Sequence, residues 1–157
     1  MSSDLKISVA QYSDKGEKPS NEDFYGILIP EEPLLSTKGV VIAIADGMSG
    51  SDAGGEASEY SVKGFLSDYF STPESWSVKT SGEKVLSALN SWLFSKGQHD
   101  YNSTRGLVTT LSVLVIKSTT AHLFHVGDSR IYRFRDNKLE LLTRDHRVWL
   151  SPKKKLP

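Results

Sequence analysis

Runs of continuous or alternating apolar residues near both ends of the chain predict β-strands. The clearest run, at 40–45, is β-branched and bounded by glycines, which is typical of a buried strand. Because short links join several of the predicted strands, we expect antiparallel sheets. The predicted strands are 6–11 (an edge strand), 24–29, 40–45, 109–116, 121–126, 131–135 and 139–143, the last two joined by a turn at Asp136 and Asn137.

Apolar residues recur at helical spacing in the middle of the chain. They predict one helix at about 52–70 and a second helix, which a capping box at Thr80 and Glu83 begins and Gly97 ends. The Pro-containing segment 30–39 is predicted to be a loop. Two blocks of strands around a block of helices predict an α+β sandwich rather than a doubly wound parallel sheet.

Length and composition narrow the class of protein. The 157 residues suit one domain, and we assign it to 1–150, followed by a Pro- and Lys-rich tail at 151–157. Nineteen basic and nineteen acidic residues balance, so bulk charge favours neither nucleic acid nor an anionic membrane as a partner. The polar start and the short apolar runs predict no signal peptide and no membrane segment, and therefore a cytoplasmic protein. The absence of cysteine excludes a cysteine nucleophile and thiolate zinc sites.

Acidic residues at the ends of two predicted strands indicate a divalent-metal site. Asp46 ends the clearest strand, and Gly47 after it would let the backbone carbonyl approach the same cation. Glu22 and Asp23 come directly before the preceding strand. Carboxylate and carbonyl oxygens suit Mg2+ or Mn2+ rather than zinc. The alternative interpretation is that each position is an acidic turn.

Six short motifs occur in one order along nearly the whole chain, from about residue 8 to residue 146. They are SNED at 20–23, ADGMSG at 45–50, GGEAS at 54–58, TTL at 109–111, HVGDSRIY at 125–132 and LTRDH at 142–146. Together they resemble the metal-dependent serine/threonine protein phosphatases of the PPM (type 2C) family, in their bacterial form. The resemblance implies a PPM-like β-sandwich of two antiparallel sheets flanked by helices.

The resemblance also implies a metal centre at one end of the sandwich. Asp46 would be the carboxylate shared by two Mn2+ or Mg2+ ions, and the Gly47 carbonyl would bind one of them. Glu22 and Asp23 would bind directly or through water, and Asp128 matches a ligand of a third, weaker metal in bacterial members. Such a centre hydrolyses phosphoserine and phosphothreonine through a water activated by the two metals.

The substrate and the partners follow from the same resemblance. Lys18 lies where the family usually has a phosphate-binding arginine, so it is a candidate phosphate contact, although lysine lacks the bidentate fork of arginine. The expected partner is a phosphorylated protein in bacterial signalling, with a cognate Ser/Thr kinase or a fused kinase domain as a further candidate.

The sequence departs from the family after the LTRDH motif. Family members continue into a segment with a Ser-Asp-Gly-like motif and an Asp-Asn-like motif, whose aspartates complete the metal ligands. Neither motif is present before Pro157, so we expect the C-terminal part of the fold to be missing and the chain to be a portion of a longer protein. The alternative function is a non-catalytic phosphatase-like module that binds a phosphoprotein or another partner without turnover.

Overall fold

Strands lie toward both ends of the chain and long helices lie in the middle. The computed structural model describes residues 5–51 and 53–146. Among these residues, no helix has the length and the hydropathy of a membrane-spanning segment. The elements are β1 Asp23–Leu28, α1 Leu34–Lys38, β2 Val40–Asp46, α2 Gly54–Ser71, α3 Val78–Tyr101, β3 Leu111–Lys117, β4 Thr120–Val126, β5 Tyr132–Arg135 and β6 Lys138–Leu141.

The strands form two antiparallel sheets, which confirms the predicted α+β class. Four strands pair in the order β1-β2-β3-β4, and β5 pairs with β6 as a separate hairpin. The predicted turn of this hairpin is confirmed, because Asp136 and Asn137 have φ of 51° and 57°, as a type I′ turn requires. In the larger sheet, Asp23 at the start of β1 lies opposite Asp46 at the end of β2. The register therefore brings two of the predicted metal ligands to one edge.

One face of the four-stranded sheet packs against the long helices, and this contact forms the core. The strands contribute alternate residues to it, as the period of two requires. The buried strand residues on this face are Val41, Ala43, Ala45, Leu111, Val113 and Val115. On the other face, Tyr25 is 37% and Ile44 is 46% exposed. We call this second surface the open face; Asp23 and Asp46 belong to it by alternation.

Two predictions for the N-terminal part of the chain are wrong, the strand at 6–11 and the loop at 30–39. Segment 6–11 is irregular and largely exposed, because among the described residues no strand pairs with it and alternation alone does not stabilise an extended chain. The predicted loop at 30–39 contains the five-residue helix α1.

The second predicted helix begins earlier and ends later than expected. Ser77, not Thr80, is the N-cap of α3, and its hydroxyl accepts a hydrogen bond from the Thr80 amide. The helix continues through Gly97 and ends at Tyr101, and its C-cap Asn102 has a left-handed conformation. Gly97 serves packing instead, because a Cβ there would lie 3.1 Å from the Leu107 nitrogen. The tail 151–157 lies outside the described residues.

Candidate metal centre

Asp23 and Asp46 face each other across neighbouring strands at the edge of the open face. Their Cα atoms are register partners, so their side chains extend from the same side of the sheet. Both residues are exposed to solvent over part of their surface. Two carboxylates held this close repel each other unless a proton or a cation lies between them, which suits the pair to a divalent cation.

The electrostatics of the site centre on the Asp46 carboxyl, whose pKa is raised. Partial burial raises this pKa most, and the hydrogen bond and the negative charge of Asp23 raise it further. The charge of Lys18 lowers the pKa of Asp46, whereas the charge of Asp128 raises it. The charges of Asp23, Lys18 and Asp128, all predicted site residues, therefore influence the Asp46 carboxyl.

Gly47 is held in a narrow space between the start of β1 and the start of α2. Its N–H donates to the Glu22 carbonyl at 2.9 Å. A Cβ on Gly47 would lie 2.2 Å from the Gly54 carbonyl oxygen and 2.8 Å from that of Glu22, so only glycine fits. The Ser58 hydroxyl donates to the same Glu22 carbonyl at 2.6 Å. These contacts fix the backbone around the predicted ligands.

The predicted ligands are only partly brought together. Asp23 and Asp46 form a pair, and the contacts that locate Glu22 involve its backbone carbonyl. Among residues 5–51 and 53–146, no group of three His, Asp or Glu side chains is arranged to hold a metal ion. The oxygen donors fit Mn2+ or Mg2+ in chemistry, and the pair supplies part of a ligand set.

Thr110 contacts the site although the sequence assigns it no role. Its hydroxyl accepts a hydrogen bond from the Asp46 N–H at 2.9 Å, and its own N–H donates to the Asp46 carbonyl at 3.0 Å. The available signal was its position in the TTL motif, at the start of the predicted strand 109–116.

The fold agrees with a comparison of the sequence with known families. The family described as Protein phosphatase 2C matches residues 22–149. The chain belongs to this family. Its curated relatives include the protein phosphatase PhpP of Streptococcus pneumoniae, 31% identical over 147 residues, with 89% of this chain and 55% of the relative covered. Another is the serine/threonine phosphatase stp of Listeria innocua, 30% identical over 144 residues, with 85% and 52% covered.

Solved structures of protein phosphatases have the same fold. The S. agalactiae serine/threonine phosphatase superimposes with a TM-score of 0.64 at 30% identity, over 82% of this chain and 51% of that one. The catalytic domain of the protein phosphatase PstP, solved in complex with two manganese ions, has a TM-score of 0.64 at 26% identity, over 82% and 50%. This member of the protein phosphatase 2C family thus spans about half the length of the relatives it matches.

Proposed function

We propose that this chain carries part of the catalytic domain of a protein phosphatase that hydrolyses phosphoserine and phosphothreonine with the help of divalent metals. The observation that carries the proposal is the facing pair of Asp23 and Asp46 in a chain of the protein phosphatase 2C family. Relatives named as serine/threonine phosphatases support the substrate class, and the two manganese ions of PstP support the metal dependence. These names give no support to the alternative of a non-catalytic binding module.

The residues that would hold the metals are those at the edge of the open face. Asp46 would be shared by two Mn2+ or Mg2+ ions, and the Gly47 carbonyl would bind one of them. Glu22 and Asp23 would bind directly or through water, and Asp128 would help to bind a third ion. When bound, such cations supply a water of lowered pKa and offset charge on phosphoryl oxygens. The close packing of Gly47 supports this assignment, because it holds the two acidic segments together.

The chain's own side chains have two tasks in this reaction. Asp46 must give up its proton to bind a cation, and its raised pKa means that metal affinity should increase with pH. Lys18 would place a positive charge near the phosphate, and its effect on the Asp46 pKa supports a position close to the site. Lysine would act as a point charge rather than as a bidentate ligand.

The proposal extends to the setting of the protein. The catalytic portion would occupy 1–150, the substrates would be phosphorylated proteins in the bacterial cytoplasm, and a Ser/Thr kinase would supply them. The match of the family to residues 22–149 supports this assignment of the domain.

Metal binding is tested by thermal unfolding with and without Mn2+. We expect Mn2+ to raise the Tm of the wild type saturably, with a Kd of about 1 mM because the ligand set is partial. Asp46→Asn should abolish this rise. Because the Asp46 pKa is raised in the folded state, its stabilising contribution is lost as the pH rises through that pKa. Without metal, at a pH above that pKa, the variant should therefore melt above the wild type.

Asp68→Asn is the matched control. Asp68 is exposed near the C-terminal end of α2, away from the candidate site, so this variant should respond to Mn2+ as the wild type does. An equal Mn2+ response in the Asp46 variant would remove this residue from the centre.

Catalysis is tested with a phosphothreonine peptide. The chain alone should hydrolyse it very slowly or not at all with Mn2+, because among the described residues no third His, Asp or Glu side chain joins Asp23 and Asp46 in a metal-binding group. The chain joined to the part of the S. pneumoniae relative that lies outside the match should be active with Mn2+ and insensitive to thiol-alkylating reagents. If neither the chain alone nor the joined protein binds Mn2+ or hydrolyses the peptide, the proposal is contradicted.

A further inference from the structure

We propose that Thr110 is a positioning residue that links the backbone of Asp46 to the loop that carries Asp128. The inference rests on the proposed function for its consequence, which is that Thr110 holds two metal-binding carboxylates in a fixed arrangement. The link itself is a property of the metal-free fold and can be measured without a metal.

The contact with Asp46 involves both backbone groups of that residue. β2 and β3 pair regularly as far as Ile44 and Ser112, and Thr110 is the residue directly before β3. There its N–H donates to the Asp46 carbonyl, and its hydroxyl accepts from the Asp46 N–H. A side-chain hydroxyl thus continues the ladder at the last residue of β2, where the candidate ligand is attached.

The contact with the Asp128 loop involves both chain neighbours of that aspartate. The hydroxyls of Thr110 and Ser129 are hydrogen bonded at 2.8 Å. Gly127 has a φ of +106°, and a Cβ there would lie 2.5 Å from Thr110 Cγ2. In this loop, Gly127 therefore lies against the methyl group of Thr110, and Ser129 contacts the hydroxyl of Thr110.

One hydroxyl can serve both partners because it has a hydrogen and two lone pairs. Thr110 Oγ1 accepts from Asp46 and can donate its own hydrogen to Ser129, so the two hydrogen bonds form a short chain. The electrostatic influence of Asp128 on Asp46 supports the proximity of the two carboxylates. Valine keeps the shape of threonine and loses both hydrogen bonds, whereas serine keeps the hydroxyl.

The metal-free test compares amide signals in NMR spectra of the wild type and three variants. Thr110→Val should accelerate hydrogen exchange of the Asp46 amide by about five- to tenfold, as expected for one lost hydrogen bond, and should shift the amide signals of 127–129. Thr110→Ser should restore the wild-type exchange. The control is Thr143→Val, because the Thr143 hydroxyl accepts from the Ile131 N–H at 3.2 Å and does not contact Asp46.

Mn2+ titration of the same proteins tests the consequence. Thr110→Val should raise the Kd for Mn2+ by about five- to tenfold, while Thr110→Ser and Thr143→Val should stay within about twofold of the wild type. Unchanged Asp46 exchange in Thr110→Val, or an unchanged Mn2+ affinity, would overturn the inference. If the wild type binds no Mn2+ while Thr110→Val still shows the amide effects, the metal centre is refuted and the link is supported.

Discussion

The space around Gly47 explains why the candidate site depends on a residue without a side chain. The carbonyl oxygens of Glu22 and Gly54 lie so close that any Cβ would overlap with them. Gly47 also forms an isolated bridge with Thr109 in the segment before β3. The backbone that follows Asp46 is therefore enclosed by β1, α2 and this segment.

Gly47→Ala tests this packing, with Gly55→Ala as its matched control. We expect Gly47→Ala to lower the free energy of unfolding by about 1–3 kcal/mol, because backbone atoms must move to admit the methyl group. A Cβ on Gly55 would lie 3.6 Å from its nearest neighbour, and alanine is the better helix former, so Gly55→Ala should be neutral or slightly stabilising. Urea unfolding measures both, and equal effects would contradict the packing argument.

Single residues of the site differ in how far the sequence could predict them. Asp46 and Gly47 follow a predicted buried strand directly, so local pattern and motif were sufficient to select them as candidate ligands. The role of Thr110 depends on a pairing between residues 64 positions apart, which no local pattern determines. The same limit applies to Glu22, because its backbone contacts with Gly47 and Ser58 arise only when α2 packs beside β1.

The secondary-structure elements were predicted best where burial and period agree. β2, β3 and β4 are predicted correctly because their apolar residues form continuous or alternating runs, whereas the alternating segment 6–11 has no strand to pair with among the described residues. α1 was missed because it is a five-residue helix in a Pro-containing segment, with Pro33 at its N-cap and no side-chain cap. α3 is longer at both ends than predicted. Only the structure reveals the reasons, which are the Ser77 hydroxyl cap at its start and the close approach of Leu107 to Gly97 near its end.

Ser77→Ala tests the cap that begins α3. The Ser77 hydroxyl accepts from the Thr80 amide at 3.0 Å, so its removal should lower the free energy of unfolding by about 1 kcal/mol. Ser91→Ala is the control inside the same helix, where the hydroxyl bonds to the Ser87 carbonyl and alanine has the higher helix propensity. Ser91→Ala should be neutral or stabilising. A larger loss from Ser91→Ala than from Ser77→Ala would contradict the assigned cap.

For the whole molecule, a buried cluster at the opposite end of β2 joins the three helices. The Lys38 ammonium, 1% exposed, donates to the Thr72 hydroxyl at 2.7 Å and to the Pro73 carbonyl at 2.9 Å. The Tyr69 hydroxyl donates to the Lys38 carbonyl at 2.9 Å. The last residue of α1 is thus bound to the connection between α2 and α3. Burial lowers the pKa of Lys38 and raises the pKa of Tyr69 to about 12.

The raised pKa of Tyr69 predicts a loss of stability at alkaline pH. A tyrosine in the unfolded chain ionises at about pH 10. The folded protein keeps the proton up to about 12, so the stabilisation from Tyr69 is complete below about 10 and is lost as the pH rises toward 12. Tyr69→Phe should lower the free energy of unfolding at pH 7 by about 1 kcal/mol, since it loses a buried hydrogen bond, and should flatten the decline between pH 10 and 12.

Urea unfolding from pH 7 to pH 12 measures the effect, with Tyr12→Phe as a control at a tyrosine that is 88% exposed. The lowered pKa of Lys38 acts in the opposite direction, because the folded state releases that proton first and gains stability as the pH rises toward the unfolded value. Lys38→Met in the Tyr69→Phe background separates the two groups, because it should remove this rise. Parallel pH profiles for the wild type and Tyr69→Phe would show that the buried hydroxyl does not control alkaline unfolding.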